Sequence, residues 1–392
     1  MAGERVTDMD HLKAAGAMRL AAAAFLACCL GGAGAQAQKA YITDSGSDGF
    51  PGSRVTVIDT ATDRVVGTPI DVGQRPTGLA FTPDGRRAYV ANGMGGSVSV
   101  IDATTDTVLN PPIAVGDQPW AVAVAPDGKR VYVTNGSDES VSVIDAATNL
   151  VVGDPIAVGS SPLGIAVTPD SKRIYVSSFD DGQVWVVEAA SRTVLGAPIA
   201  VGSSPWGLAA TPDGKKVYVA NTGGDTVSVI DTQTRAVGSI EVGRAPEDVA
   251  ITPDGRKAYV AITNESTVAV IDTRTDAVTR TLAVGAAPHG VAITPDGRKA
   301  YVVNLTGQTV SVIDIASDTV GADTIALGFG SLVAGLFIQP KLFAGTPGTR
   351  NCAGQSLSAE ARRYGSTGAA AKALGYGTVA KMQTAIRLYC AR

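Results

Sequence analysis

Between residues 76 and 115 the chain reads PTGLAFTPDGRRAYVANGMGGSVSVIDATTDTVLNPPIAV, and its apolar residues fall into four short runs. GLAF, RAYVAN, SVSVID and VLNPPIAV are rich in Val, Ile, Tyr and Ala and bounded by turn residues, which predicts four β-strands. A Pro-Asp-Gly turn separates the first two. There proline presets φ, aspartate bonds its own backbone and glycine accepts a positive φ. A Gly/Asn loop follows the second run, and an Asp-Ala-Thr-Thr-Asp turn follows the third. Prolines in the last run suit an outer edge strand, where a missing N–H costs no ladder bond. Helical periodicity is absent from the unit.

The unit recurs. Tyr41, Tyr89, Tyr132, Tyr175, Tyr218, Tyr259 and Tyr301 stand in one register, at intervals of 41 to 48 residues. A fixed period near forty, with four antiparallel strands per copy, predicts an all-β seven-bladed β-propeller; a β-solenoid is the alternative, but its coils are shorter. The ends favour the ring. The first copy begins at KAYITD without an opening strand, and LVAGLFIQP at 332–340 fits the missing one. Pairing of the N- and C-terminal strands would then close the propeller and leave no open edge.

The phrases AYVAN, VYVTN, IYVSS, VYVAN, AYVAI and YVVN, each leading to a VSVID-like strand, resemble the YVTN-family β-propeller repeats of bacterial and archaeal exported proteins. The resemblance covers about residues 39–342. It implies a fold and an exported location, and no single reaction, because propellers host many functions.

Residues present in every copy are expected to build the blade. The aspartates of the VID strands (Asp59, Asp102, Asp145, Asp231, Asp272 and Asp314) read as turn caps, and Asn92, Asn135, Asn221 and Asn304 as local backbone caps. The tyrosines are expected between blades, each hydroxyl with a partner. Differences between copies carry more information. In a propeller the innermost strand starts beside the central channel, so the residue after each VGxxP lies near its mouth. Those residues are Thr77, Trp120, Leu163, Trp206, Glu247 and His289, with Ala334 in the last copy. Trp120, Leu163 and Trp206 form an apolar arc. Glu247, Asp248 and His289 form a polar one, with Arg75, Asp117 and Arg244 in neighbouring loops. An aromatic wall facing a few ionisable groups suits a small molecule or glycan. His289 beside Glu247 or Asp248 also has the makings of an acid–base pair.

Composition narrows the classes. Of 392 residues, 45% are hydrophobic and 17% charged, enough to bury a large core. The net charge of −4, without a basic run, excludes an electrostatic footprint for nucleic acid. MRLAAAAFLACCLGGAGAQA, from Met18, reads as a signal peptide ending in an A-x-A site. A mature start near Gln38 follows, with translation from Met1 or Met18, a periplasmic or secreted location, and no transmembrane segment after cleavage. Acidic pairs such as Asp138-Glu139 and Asp180-Asp181 are scattered over different blades and read as solvated loop charges rather than a metal site. No cofactor is implied: a single histidine in the mature chain does not suffice for a haem or copper propeller.

Three segments result: a signal peptide at 1–37, the propeller at 38–342, and a linker with a small α-helical module at 343–392. Cys352 and Cys390 bracket that module, and in an oxidising compartment such a pair suggests a disulfide. The module resembles small cysteine-bracketed helical units that follow propellers in some exported bacterial proteins. The leading functional expectation is a binding or scaffold protein that recognises a small molecule, glycan or protein on the face around the channel mouth. A lactonase- or lyase-like enzyme using His289 with Glu247 or Asp248 is the alternative, and a structural role in a cell-surface layer is a third.

Overall fold

A computed structural model describes residues 38–47, 50–327 and 332–340, together with Val379, Met382 and Gln383. The expected signal peptide, Cys352, Cys390 and nearly all of the C-terminal helical module lie outside the described residues. Seven antiparallel sheets form, one per repeat. Six run in chain order from an innermost strand outward. Their inner strands are Pro76–Phe81, Pro119–Val124, Pro162–Val167, Pro205–Ala210, Pro246–Ile251 and Pro288–Ile293. The first blade is assembled from both ends of the described chain. Arg64–Asp71, Phe50–Asp59 and Lys39–Ser47 are followed inward by Leu332–Ile338. Ala40 pairs with Ile338 and Tyr41 with Phe337. Two hydrogen bonds clasp the junction, Gln38 Nε2 to the Gln339 carbonyl at 2.8 Å and Gln339 N to the Lys39 carbonyl at 2.8 Å. The chain is a seven-bladed β-propeller, closed as its termini predict.

Each blade buries one face of its strands against the next blade, so the core is a chain of seven inter-blade clusters rather than one centre. The seven tyrosines are at most 1% exposed and lie in these interfaces. Their hydroxyls explain a repeated contact. At four boundaries a tyrosine and the lysine two residues before it converge on one aspartate in the outer turn of the next blade: Tyr41 and Lys39 on Asp106, Tyr218 and Lys216 on Asp276, Tyr259 and Lys257 on Asp318, Tyr301 and Lys299 on Asp63. Burial and the nearby carboxylate push these four phenols far above their ordinary pKa, so they remain donors. At a fifth boundary Tyr89 donates to Asn149 at 2.7 Å. Tyr132 and Tyr175 have no aspartate or asparagine in that place, because residues 192 and 235 are arginines, and Tyr175 is instead approached by Arg173 of its own strand.

Two further expectations change in detail. The outer strand is broken in three blades, for instance into Leu150–Val151 and Ile156–Ala157. The intervening Gly153-Asp154-Pro155 supplies a positive φ and removes a donor. The asparagines are not simple backbone caps. Each is fully buried, and its amide donates to hydroxyls on the facing strand, as from Asn135 to Ser140 at 3.0 Å and to Ser142 at 2.9 Å. Each also fills the space beside the VG glycine: a Cβ on Gly116 would meet Asn135 Cγ at 2.6 Å. The VID aspartates do cap their turns, Asp59 Oδ1 accepting from Ala61 N at 2.8 Å and Thr62 N at 3.1 Å.

Candidate functional site at the channel mouth

Two sets of loops meet on one face because their backbones bond to each other. Gly93 N donates to Arg75 O at 2.9 Å, Gly136 N to Gln118 O at 2.9 Å and Thr263 N to Ala245 O at 3.0 Å. The accepting residue, just before the inner-strand proline, is left-handed in six copies, for example Arg75 at φ 52° and Ala245 at φ 56°. That turn carries the chain from the rim into the channel and sets the next residues around its mouth.

There the structure brings together most of the residues picked from the sequence. Thr77, Trp120, Leu163, Trp206, Asp248 and His289 all line one central cavity of about 430 Å3. Trp206 is the hub of its aromatic side, edge-on to Trp120 at 5.6 Å, to Phe179 at 5.6 Å and to His289 at 5.8 Å. Phe179, from the loop after Arg173–Ser178, was not legible as a site residue, because its copies elsewhere are Ser, Gly, Thr and Leu. Thr77 is 3% exposed, and its hydroxyl donates to the Pro119 carbonyl of the next blade at 3.1 Å, so it also ties two blades together.

Next to this aromatic cluster, His289 Nδ1 bonds Glu247 Oε2 across the boundary between blades six and seven. Both side chains are about 15% exposed. Asp248 lies one residue deeper, where five other copies carry glycine and one carries Ala121. Its Oδ1 accepts from Val249 N at 2.9 Å, and its Oδ2 accepts from Val291 N at 3.0 Å, on the neighbouring blade. Asp248 is half-buried on the cavity wall, and its loss of solvent outweighs those two bonds, raising it from 3.8 to about 6. Room for it comes from Gly207, where a Cβ would stand 2.6 Å from Asp248 Oδ1.

The basic residues expected nearby sit farther out. Arg75 is exposed, Arg244 Nε approaches Glu265 Oε1 at 3.6 Å, and neither lines the cavity. Asp117 stays in the rim, its backbone N held by Asp138 Oδ2 at 2.7 Å. Asp180 and Asp181 are engaged with Ser161, Ser178 and the Ser160 N–H. Among the described residues, the ionisable side chains on the cavity wall are therefore Asp248 and His289, with Glu247 behind His289. Such a site can hold a ring between aromatic edges, accept from or donate to polar groups, and exchange a proton.

A family model described as the choice-of-anchor I domain matches residues 151–334. Hydrazine synthase from Kuenenia stuttgartiensis is similar in structure, at 25% identity and TM-score 0.63, over 68% of this chain and 91% of that one. A candidate 6-phosphogluconolactonase from Bacteroides uniformis shares 16% identity with TM-score 0.65, over 77% of this chain and 100% of that one. Dihydro-heme d1 dehydrogenase NirN follows at 19% identity and TM-score 0.57, over 75% and 64%. No curated protein matches the sequence. These likenesses place the chain among β-propellers, whose members differ widely in what they do. Among the described residues no helix is long and apolar enough to cross a membrane.

Proposed function

We propose that this is an exported propeller of the YVTN type that binds a small organic molecule in the mouth of its central channel. The observation that carries the reading is a single cavity of about 430 Å3 whose wall joins an aromatic cluster around Trp206 to ionisable groups, Asp248 and the His289–Glu247 pair, with His289 touching both. A cavity of that size suits a ligand of one or two rings. Among the described residues no lysine or arginine lines it, which argues against a phosphorylated ligand and for a neutral or cationic one. Export is supported by the signal-like segment before Gln38 and by the likeness to a choice-of-anchor domain. A helical, disulfide-closed C-terminal module belongs to the same reading.

A second reading has one specific observation in its favour. His289, oriented by Glu247 and open to the cavity, has the arrangement of a general base, and Asp248, raised to about 6, could return a proton. That would suit a lactone hydrolase or a lyase. Melting the protein against sugars, lactones, amines and peptides tests the binding reading. A ligand that stabilises the wild type and not the Trp120→Ala/Trp206→Ala double variant supports it, and midpoints unmoved by every compound refute it. Turnover of a stabilising lactone, lost in His289→Gln with binding retained, would select the second reading.

A further inference from the structure

On the face opposite the channel mouth, the tyrosine–aspartate contact between blades changes at the boundary of blades three and four. At six boundaries the cation that precedes the tyrosine crosses to a carbonyl of the next blade, as Arg87 does to Ala146 at 2.9 Å and Lys216 to Thr273 at 2.8 Å. Here Arg130 turns instead to Asp145 of its own blade. Residue 192, the counterpart of Asp63, Asp106, Asp276 and Asp318, is an arginine, and its Nη1 goes to the Val152 carbonyl at 2.6 Å. The Tyr132 hydroxyl has no hydrogen-bond partner among the described residues, although Tyr132 is only 1% exposed. The next boundary also has an arginine in this place, Arg235, but Arg173 crosses in the ordinary way to Thr232 at 2.6 Å.

Where both halves of the contact are altered, a cavity of about 720 Å3 lies between the outer turns, lined by Tyr132, Arg130, Arg87 and Lys129 among others. Its carboxylates are already engaged: Asp84 and Asp127 accept from backbone N–H groups of their own turns, at 3.1 and 2.9 Å, and Asp145 holds Arg130. A phenol on the cavity wall with no protein acceptor has its donor open to a ligand, and a guanidinium with donors to spare suits a planar anion. We propose that this cavity is a binding site for a small carboxylic acid. Its carboxylate accepts from the Tyr132 hydroxyl and the Arg130 guanidinium, as an aspartate of the next blade does from tyrosine and lysine at four other boundaries. The volume leaves room for a second acidic group toward Arg87 and Lys129, so a dicarboxylate is the preferred form. The site is on the other face from the channel mouth and does not depend on the function proposed there.

Calorimetric titration with succinate, and with succinamide as the uncharged control, tests it. Saturable binding of succinate alone is expected, weakened on the order of tenfold in Tyr132→Phe. It should be abolished in Arg192→Asp, which restores an internal acid and should raise the melting temperature. Unchanged binding in the Trp120→Ala/Trp206→Ala variant would separate this site from the upper one. Failure of the wild type to bind succinate overturns the proposal, and so does equal affinity in the wild type and in folded Tyr132→Phe and Arg192→Asp.

Discussion

Replacing Asp248 by asparagine isolates the one carboxyl that stands in the ring of inner-strand glycines. In the folded protein its pKa is raised from 3.8 to about 6. The sign follows from proton binding. Below pH 3.8 both folded and unfolded chains hold the proton, and the group costs nothing. Between 3.8 and about 6 the unfolded chain releases its proton first, so stability falls as pH rises. Above about 6 the loss is complete, and at 1.36 kcal/mol for each tenfold change in proton affinity it amounts to about 3 kcal/mol. Asparagine is nearly isosteric and does not ionise. Its single carbonyl can keep the bond from Val291 N, now at 3.0 Å, as the protonated acid would. Urea unfolding of both proteins from pH 3.5 to 8 should give equal stability at the acid end. The variant should then pull ahead by about 2–3 kcal/mol by pH 8. Parallel curves, or a variant that weakens as pH rises, would show that the carboxylate is comfortably solvated in the channel and that the argument from burial is wrong.

Other outcomes follow from the same geometry. Gly207→Ala puts a methyl 2.6 Å from Asp248 Oδ1 and 2.7 Å from the Glu247 carbonyl. It should destabilise by about 1–3 kcal/mol in urea and weaken any channel ligand. Asp63→Ala leaves Tyr301 and Lys299 without their acceptor at the closing boundary. A loss of about 1–3 kcal/mol is expected, whereas Asp63→Asn should retain the phenol's bond and lose less. Ending the chain before Leu332 removes the inner strand of the first blade. Unfolding should lose its single cooperative transition, and Lys39–Ser47 should lose hydrogen-exchange protection first.

The architecture was legible because the blade phrase repeats with its turns, so the tyrosine register and the missing first strand together implied both the blade number and the manner of closure. Part of the channel mouth was legible for the same reason: a position fixed by repetition can be followed around the ring, and Trp120, Trp206, Glu247 and His289 stand out as departures. What escaped were contacts between consecutive copies. Asp106 reaches Tyr41 only because blades stack side by side, over a sequence separation of 65 residues. Nothing within one phrase announces that pairing, although Arg192 and Arg235, where other copies carry an acid or Asn149, were visible in the alignment. Phe179 escaped because its loop varies from copy to copy. The broken outer strands escaped because Gly and Pro in VVGDPIAV were compatible with a continuous edge.

The meeting of Lys39–Ser47 with Leu332–Ile338 bears on how the protein is made. Blades two to six are complete in sequence by Ala283 and blade seven by Ala326, so the circle stays unlatched until Leu332–Ile338 follows. Closure thus waits on a pairing between segments nearly three hundred residues apart, the slowest kind of contact for a chain to find.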